Sequence, residues 1–228
     1  KELVKMIPGG KKIKLELYKG KRDMLDDLGV AAQIKEACSP RVSLGNGAYL
    51  IIERTEALTS IDVNTGGFIG DDSLEYTVYQ TNILAAREIA RQVKLRNIGG
   101  LFVVDFIDMR QPEHRQAIAE ELEKSLKSDN APYRVLPMSE FGLIEFTRKR
   151  SGEELASVGI KTCPVCGAGT DFSDEFYMLT AYSEVLKTLD GGAQTACVKV
   201  RPEVAAIISD RREFADSVRE KFPDARVY

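Results

Sequence analysis

The segment IGGLFVVDFIDM, residues 98–109, constrains the fold more than any other stretch of the chain. A continuous apolar run bounded by glycines fits a fully buried central strand. Helical patterns flank it on both sides. Residues 74–95, LEYTVYQTNILAAREIARQVKL, have the length and apolar spacing of a long helix, with Ser73 as its expected N-cap. Pro112 then opens PEHRQAIAEELEKSLKSD, an amphipathic segment with acids early and lysines late, as the helix dipole favours.

The rest of the chain adds strands and shorter helices. KKIKLELY (11–18) alternates charged and apolar residues, the period of a half-buried strand, and residues 25–38 read as a helix broken or begun near Gly29. RVSL and AYLIIE flank GNG, a strong hairpin signal, and ALTSIDVN follows as a third strand that runs into the glycine-rich loop TGGFIGDDS. YRVLPM and GLIEFTRKR are two further strands. The polar, glycine-bearing stretch 151–161 marks a domain boundary. Beyond it DEFYMLTAYSEVLKTL reads as a helix, TACVKV as a strand, PEVAAIIS and DRREFADSVREKF as short helices and ARVY as a last strand, together a small α+β appendage. The class expected is α/β (α+β).

Composition narrows the function classes. A chain of 228 residues holds a substantial core and a second, smaller unit. No apolar run approaches the eighteen or more residues of a membrane span and no signal-peptide pattern opens the chain, so a cytoplasmic location is expected. The first residue is Lys rather than Met, as in a fragment or processed chain. The net charge of −3 gives no global pull toward nucleic acid, so any polyanion site must be a local basic patch. Cys38, Cys163, Cys166 and Cys197 are too few and too scattered for a disulfide framework and fit a reducing compartment. Cys38 and Cys197 read as small buried hydrophobes. Cys163 and Cys166, in CPVC, form one CxxC knuckle, half of a tetrahedral zinc site; a redox CxxC would need a thioredoxin-like context that its neighbours do not offer.

Two strand ends carry the candidate chemistry. Asp62 and Asn64 in SIDVN are two apart and share a face, while Asp105 follows three apolar residues, where an unpaired buried carboxylate would be costly. A shared Mg²⁺, which takes hard oxygen ligands, explains both; such a metal polarises a phosphodiester and lowers the pKa of water. Asn64 would tune the site through its amide. The bland alternative is that these acids cap helices or satisfy turn amides. Asp108 falls in the turn toward the next helix, and His114, the sole histidine, reads as a surface residue with no Ser or Cys partner for a triad. Arg148, Lys149 and Arg150, with Arg91, Lys94 and Arg96, suit phosphate contact, and Phe68, Phe141 or Phe146 suit base stacking; a solvated face is the alternative for the basic run.

TEALTSIDVNTG, TNILAAREIARQVKLRNIGGLFVVDFIDM, FGLIEFTRKR and CPVCGAGT, in this order and spacing, resemble the bacterial ribonuclease E/G family, most densely over residues 50–170. The resemblance implies an Mg²⁺-dependent endoribonuclease of RNA processing and decay that cuts single-stranded, A/U-rich RNA and leaves a 5′-phosphate on the downstream product. It puts the metal on Asp62 and Asp105 with Asn64 assisting. It also implies a partial ribonuclease H-like segment at residues 1–38, a deoxyribonuclease I-like layer of sheet and helices at 39–160, a zinc link at 161–170 and the small α+β domain at 171–228. In such a link two protomers each give two thiolates, here Cys163 and Cys166, to one shared Zn²⁺, which makes a homodimer. Nothing before residue 50 resembles the family's S1 domain or its sensor of the RNA 5′ end. Asp71 and Asp72 stand where relatives often carry a basic residue, and Ile83 and Leu84 interrupt the usual T-N-L-E-A-A block. Two rival classes are a non-catalytic RNA-binding or scaffold module and a phosphoesterase acting on DNA or small nucleotides.

Overall fold

The computed structural model describes residues 14, 16–45, 47–66, 74–162 and 170–228. They divide into two compact units, one of residues 32–173 and one formed by 1–31 with 174–228.

The larger unit is built on a mixed six-stranded sheet of order β1-β2-β3-β4-β6-β5. Its strands are β1 (Arg41–Gly45), β2 (Ala48–Arg54), β3 (Thr59–Asn64), β4 (Gly100–Asp105), β5 (Tyr133–Val135) and β6 (Leu143–Arg148). Strands β1 and β2 form the hairpin expected at GNG, with Gly45 opposite Ala48, and β3 continues antiparallel beside β2. The chain then crosses over through α3 (Leu74–Leu95) to lay β4 parallel to β3. A second helix, α4 (Pro112–Leu126), follows β4, and β6 returns antiparallel to it. Most of α2 (Val30–Cys38) belongs to this unit and precedes β1, whereas α1 (Met24–Asp27), which ends before Gly29, belongs to the smaller one. Residues 155–159 form a short helix, α5, leading into the two-stranded sheet of β7 (Ile160–Thr162) and β8 (Thr170–Phe172).

Alternate residues of each strand, among them Leu50, Ile61, Phe102, Val104, Ile144 and Phe146, pack against Ile89 and Val93 of α3 and Ile118 and Leu122 of α4. Burial of this apolar face contributes roughly 25 cal/mol per Å² removed from water. The fully buried reading of β4 needs correction. Phe102 and Val104 are buried, but Leu101 is 40% exposed and Asp105 is exposed, because the apolar face covered by the helices takes only every second residue. Asp105 is therefore not a carboxylate buried in the core.

The smaller unit contains α6 (Asp174–Asp190), α7 (Pro202–Asp210), α8 (Arg212–Lys221) and a short parallel pair, β9 (Thr195–Ala196) with β10 (Arg226–Val227). Leu186, Leu189, Val185, Ala196 and Val218 form its core. Cys38 is buried as expected, but Cys197 is exposed, lying just past the two-residue ladder of β9. The strand expected at 11–18 is absent from its described positions 14 and 16–18. No helix among the described residues is long and apolar enough to cross a membrane.

Candidate active site

The crossover through α3 brings Asp62 and Asp105 together. They are direct register partners at the carboxyl ends of the parallel strands β3 and β4, on the sheet face opposite the helices. Open α/β sheets bind ligands in this position, beyond the carboxyl ends of parallel strands. An open cleft of about 510 Å³ lies there, lined by residues 62–65, 105–108 and Phe141. Asn64 donates from Nδ2 to Asp62 Oδ2 at 2.7 Å, which orients that carboxylate.

The electrostatics are those of crowded acids. The Asp105 carboxyl is held above the ordinary aspartate value of 3.8, first by desolvation and then by the charges of Asp62 and Asp108. Among the described residues no Lys or Arg pairs with Asp62, Asp105 or Asp108. Nor do three His, Cys, Asp or Glu side chains there group as a complete cage for a metal ion. Two adjacent carboxylates facing an open cleft fit a Mg²⁺ that completes its shell with water and phosphate oxygens, the mode that needs no protein cage.

The loop from Phe106 to Gln111 is held by three side chains that sequence reading did not single out. Asn82, fully buried on α3, donates to Ile107 O at 2.8 Å and accepts from Ile107 N at 3.2 Å. Arg115 Nε donates to Met109 O at 2.7 Å, and Glu75 accepts from the N–H groups of Arg110 and Gln111 just before α4. Backbone N–H donation, led by Gln111, keeps the Glu75 carboxyl below the usual range. His114 corrects its surface reading. It stacks on Tyr79 at 4.3 Å and lies 3.3 Å from Glu75, so it belongs to this bracket. The available sequence signal was Asn82 itself, an amide on the apolar side of a long helix, where a buried polar group demands a partner.

The basic run stands elsewhere. Because β6 runs antiparallel to β4, Leu143 pairs with Asp105 and Arg148 pairs with Gly100. Five residues of strand, about 17 Å, separate the two ends. The guanidinium of Arg148 is buried, 2.6 Å from Asp129 and donating to Ile98 O and Asn97 Oδ1, while Lys149 and Arg150 are exposed. Arg91 pairs with Glu88, Lys94 donates to Ser128, and Arg96 is buried against Gln92. Phe146 stacks on Phe102 in the core at 4.4 Å and has no free face; Phe141 is open at the cleft. Phe68, Asp71, Asp72 and Ser73, and the Cys163–Cys166 knuckle, lie outside the described residues.

Known proteins resemble much of this chain. It matches the family model described as the ribonuclease E/G family over residues 1–151. It is 44% identical to ribonuclease G of Escherichia coli (strain K12) over 158 residues, 69% of this chain and 32% of that protein. Ribonuclease G of Haemophilus influenzae is 45% identical over 153 residues, 67% of this chain and 31% of that protein. Ribonuclease E of Nostoc sp. is 44% identical over 153 residues, covering 67% of this chain and 22% of its own length. The chain thus spans about a third or less of the length of these relatives.

Proposed function

The chain belongs to the ribonuclease E/G family, and on that premise we propose that its cleft is the active site of an Mg²⁺-dependent endoribonuclease acting on single-stranded, A/U-rich RNA. The observation that carries this reading is the register of Asp62 with Asp105 at the mouth of one cleft. Asp62 and Asp105 would hold the Mg²⁺. When bound, the ion supplies a lowered pKa for water and offsets charge that builds on the phosphodiester.

The chain's own groups orient and focus. Asn64 fixes Asp62 through the Nδ2 to Oδ2 hydrogen bond and keeps that carboxylate from rotating. Asp105, crowded by Asp62 and Asp108, favours a cation at the cleft, because a cation relieves the repulsion. Hydrolysis by water at phosphorus, with the 3′ oxygen leaving as a hydroxyl on the upstream product, would leave a 5′-phosphate on the downstream product. Lys149 and Arg150 would contact phosphates away from the reaction centre, whereas the guanidinium of Arg148 is engaged inside the fold.

On the family resemblance we assign Cys163 and Cys166 to a Zn²⁺ shared with a second copy, a reading consistent with one CxxC supplying only half of a tetrahedral site. Cys163→Ser should then lose zinc and convert a dimer to monomers. A wild-type dimer without zinc would contradict the assignment.

The deciding experiment is cleavage of a short fluorescent A/U-rich single-stranded RNA by wild type and Asp105→Asn, each with Mg²⁺ and with EDTA, beside the deoxy analogue. Mg²⁺-dependent cutting of RNA, lost in the variant, is expected. Binding without cutting by the wild type would instead identify a non-catalytic RNA-binding module, and equal cutting of the deoxy analogue a broader phosphoesterase.

A further inference from the structure

We infer that Phe141 is a base-stacking residue that presents its ring to an unpaired nucleotide beside the carboxylate cleft, an inference that rests on the RNA reading of that cleft. Phe141 is 84% exposed and lies on the cleft wall with Asp62 and Asp105. Single exposed apolar side chains are common, so exposure alone assigns nothing; the position of this ring on the wall of the carboxylate cleft is what gives it a ligand to meet. The other aromatic residue of the cleft wall, Phe106, is 3% exposed and packed in the core. Among the described residues, Phe141 is thus the aromatic ring of this cleft with its faces open.

The ring is carried on a fixed support. Ser139 N donates to Leu143 O at 2.8 Å, Gly142 N to Ser139 O at 3.1 Å and Leu143 N to Ser139 Oγ at 3.3 Å, closing a tight turn whose tip is Phe141. Gly142 adopts φ +79°, and a Cβ there would meet Asp108 Oδ1 at 3.2 Å, so the turn lies directly against the acidic loop. Leu143, two residues on, is the register partner of Asp105. The ring and the carboxylates are therefore fixed to one β4–β6 framework.

An aromatic face gives sequence-tolerant affinity for any exposed base, because every base has a π-face. A duplex keeps its bases paired and stacked on one another and offers no such face at the cleft mouth. Stacking on Phe141 thus selects single strands at the point of cleavage, with no need for hydrogen-bond readout.

The test uses the full chain in EDTA, where no cleavage is needed, with single-stranded A/U-rich RNAs carrying 2-aminopurine at successive positions. Wild type should quench one position strongly. Phe141→Ala should abolish that quench and weaken binding by about 5- to 140-fold, the span of one base–aromatic stack. Phe141→Trp should restore both, and an abasic site at the quenched position should make wild type and Phe141→Ala equal. Unchanged quench and affinity in Phe141→Ala would overturn the inference. So would altered sedimentation of Phe141→Ala with RNA binding intact, which would make the ring a protein contact, and so would failure of the wild type to bind RNA. Because these readouts are made without metal, they separate from the nuclease reading, which stands or falls on cleavage by wild type and Asp105→Asn.

Discussion

Arg148 and Arg150 stand two positions apart in one basic run and have different roles in the fold. The Arg148–Asp129 pair is enclosed, with side-chain exposures of 4% and 8%, and Asn97 closes it from the end of α3. Asn97 sits at φ +52°, in the left-handed region that Asn tolerates, and its amide also donates to the carbonyls of Ser151 and Glu153. Replacing either ion partner by Ala strands the other charge, so Asp129→Ala and Arg148→Ala should each cost about 3–5 kcal/mol in urea denaturation. Burial raises the Asp129 carboxyl, but Arg148, the Ala131 N–H and Lys94 outweigh it and hold the carboxyl below its usual value of 3.8. A depressed acid stabilises the fold above its unfolded pKa. That contribution should therefore be complete at neutral pH and disappear as pH falls below about 4, a loss that the Arg148→Ala variant should not share. Asp105 predicts the opposite behaviour. It is desolvated and then crowded by like charge, so Asp105→Asn should abolish cleavage yet unfold in EDTA at a temperature equal to or above that of the wild type. The strand-end acids were legible in the sequence because a carboxylate after an apolar run stands out locally. The burial of Arg148 was not, because its partner lies 19 residues back in a turn and only the sheet brings the two together.

At the scale of elements, the helix over 74–95, the hairpin at GNG and the helix opened by Pro112 form where periodicity and turn residues put them, since those signals are local and strong. The expected strand at 11–18 illustrates the limit. Alternation states which face would be buried but not whether a partner strand exists, and among its described residues there is no ladder. The same limit shortens TACVKV to Thr195–Ala196, where the regular pairing with β10 ends. The bracket on the 106–111 loop is also a product of assembly, because Glu75, Asn82 and Arg115 meet that loop only after α3 and α4 pack. Asn82→Ala should leave the N–H and C=O of Ile107 without their partner, at about 1–3 kcal/mol for each group that water cannot reach. Faster amide hydrogen exchange at Ile107, with exchange in β1 and β2 unchanged, would locate the effect in the loop. A uniform rise across the sheet would instead mean that Asn82 serves general packing. Gly142→Ala acts on the facing turn. With φ +79° and Asp108 Oδ1 in contact range, it should cost about 1–2 kcal/mol and lower cleavage by displacing the turn that borders the acidic loop.

Across the larger unit, charge is divided along the strands. The acids Asp62, Asp105 and Asp108 gather at the carboxyl end of β4, while Lys149 and Arg150 follow β6 at the other end, about 17 Å away. Without a resident cation the acidic cleft adds no attraction for a polyanion at neutral pH, and the net charge of −3 gives no compensating long-range attraction, so metal-free binding must rest on the basic run and on stacking at Phe141. Affinity and chemistry should therefore separate in mutants. Removing Lys149 and Arg150 together should weaken binding of all single-stranded RNAs alike and flatten the dependence of log K on log salt by about 0.7 for each phosphate no longer neutralised. Turnover at saturating RNA should stay near that of the wild type, because neither residue reaches the reacting phosphate. Asp105→Asn should show the reverse, with lost turnover and an unchanged salt slope at the basic end. An unaltered salt slope in the Lys149/Arg150 double variant would mean that this run is a solvated face and that RNA approaches the cleft by another side. Because acid and base occupy opposite ends of one sheet, salt titration of these two variants tells a binding end from a reacting end.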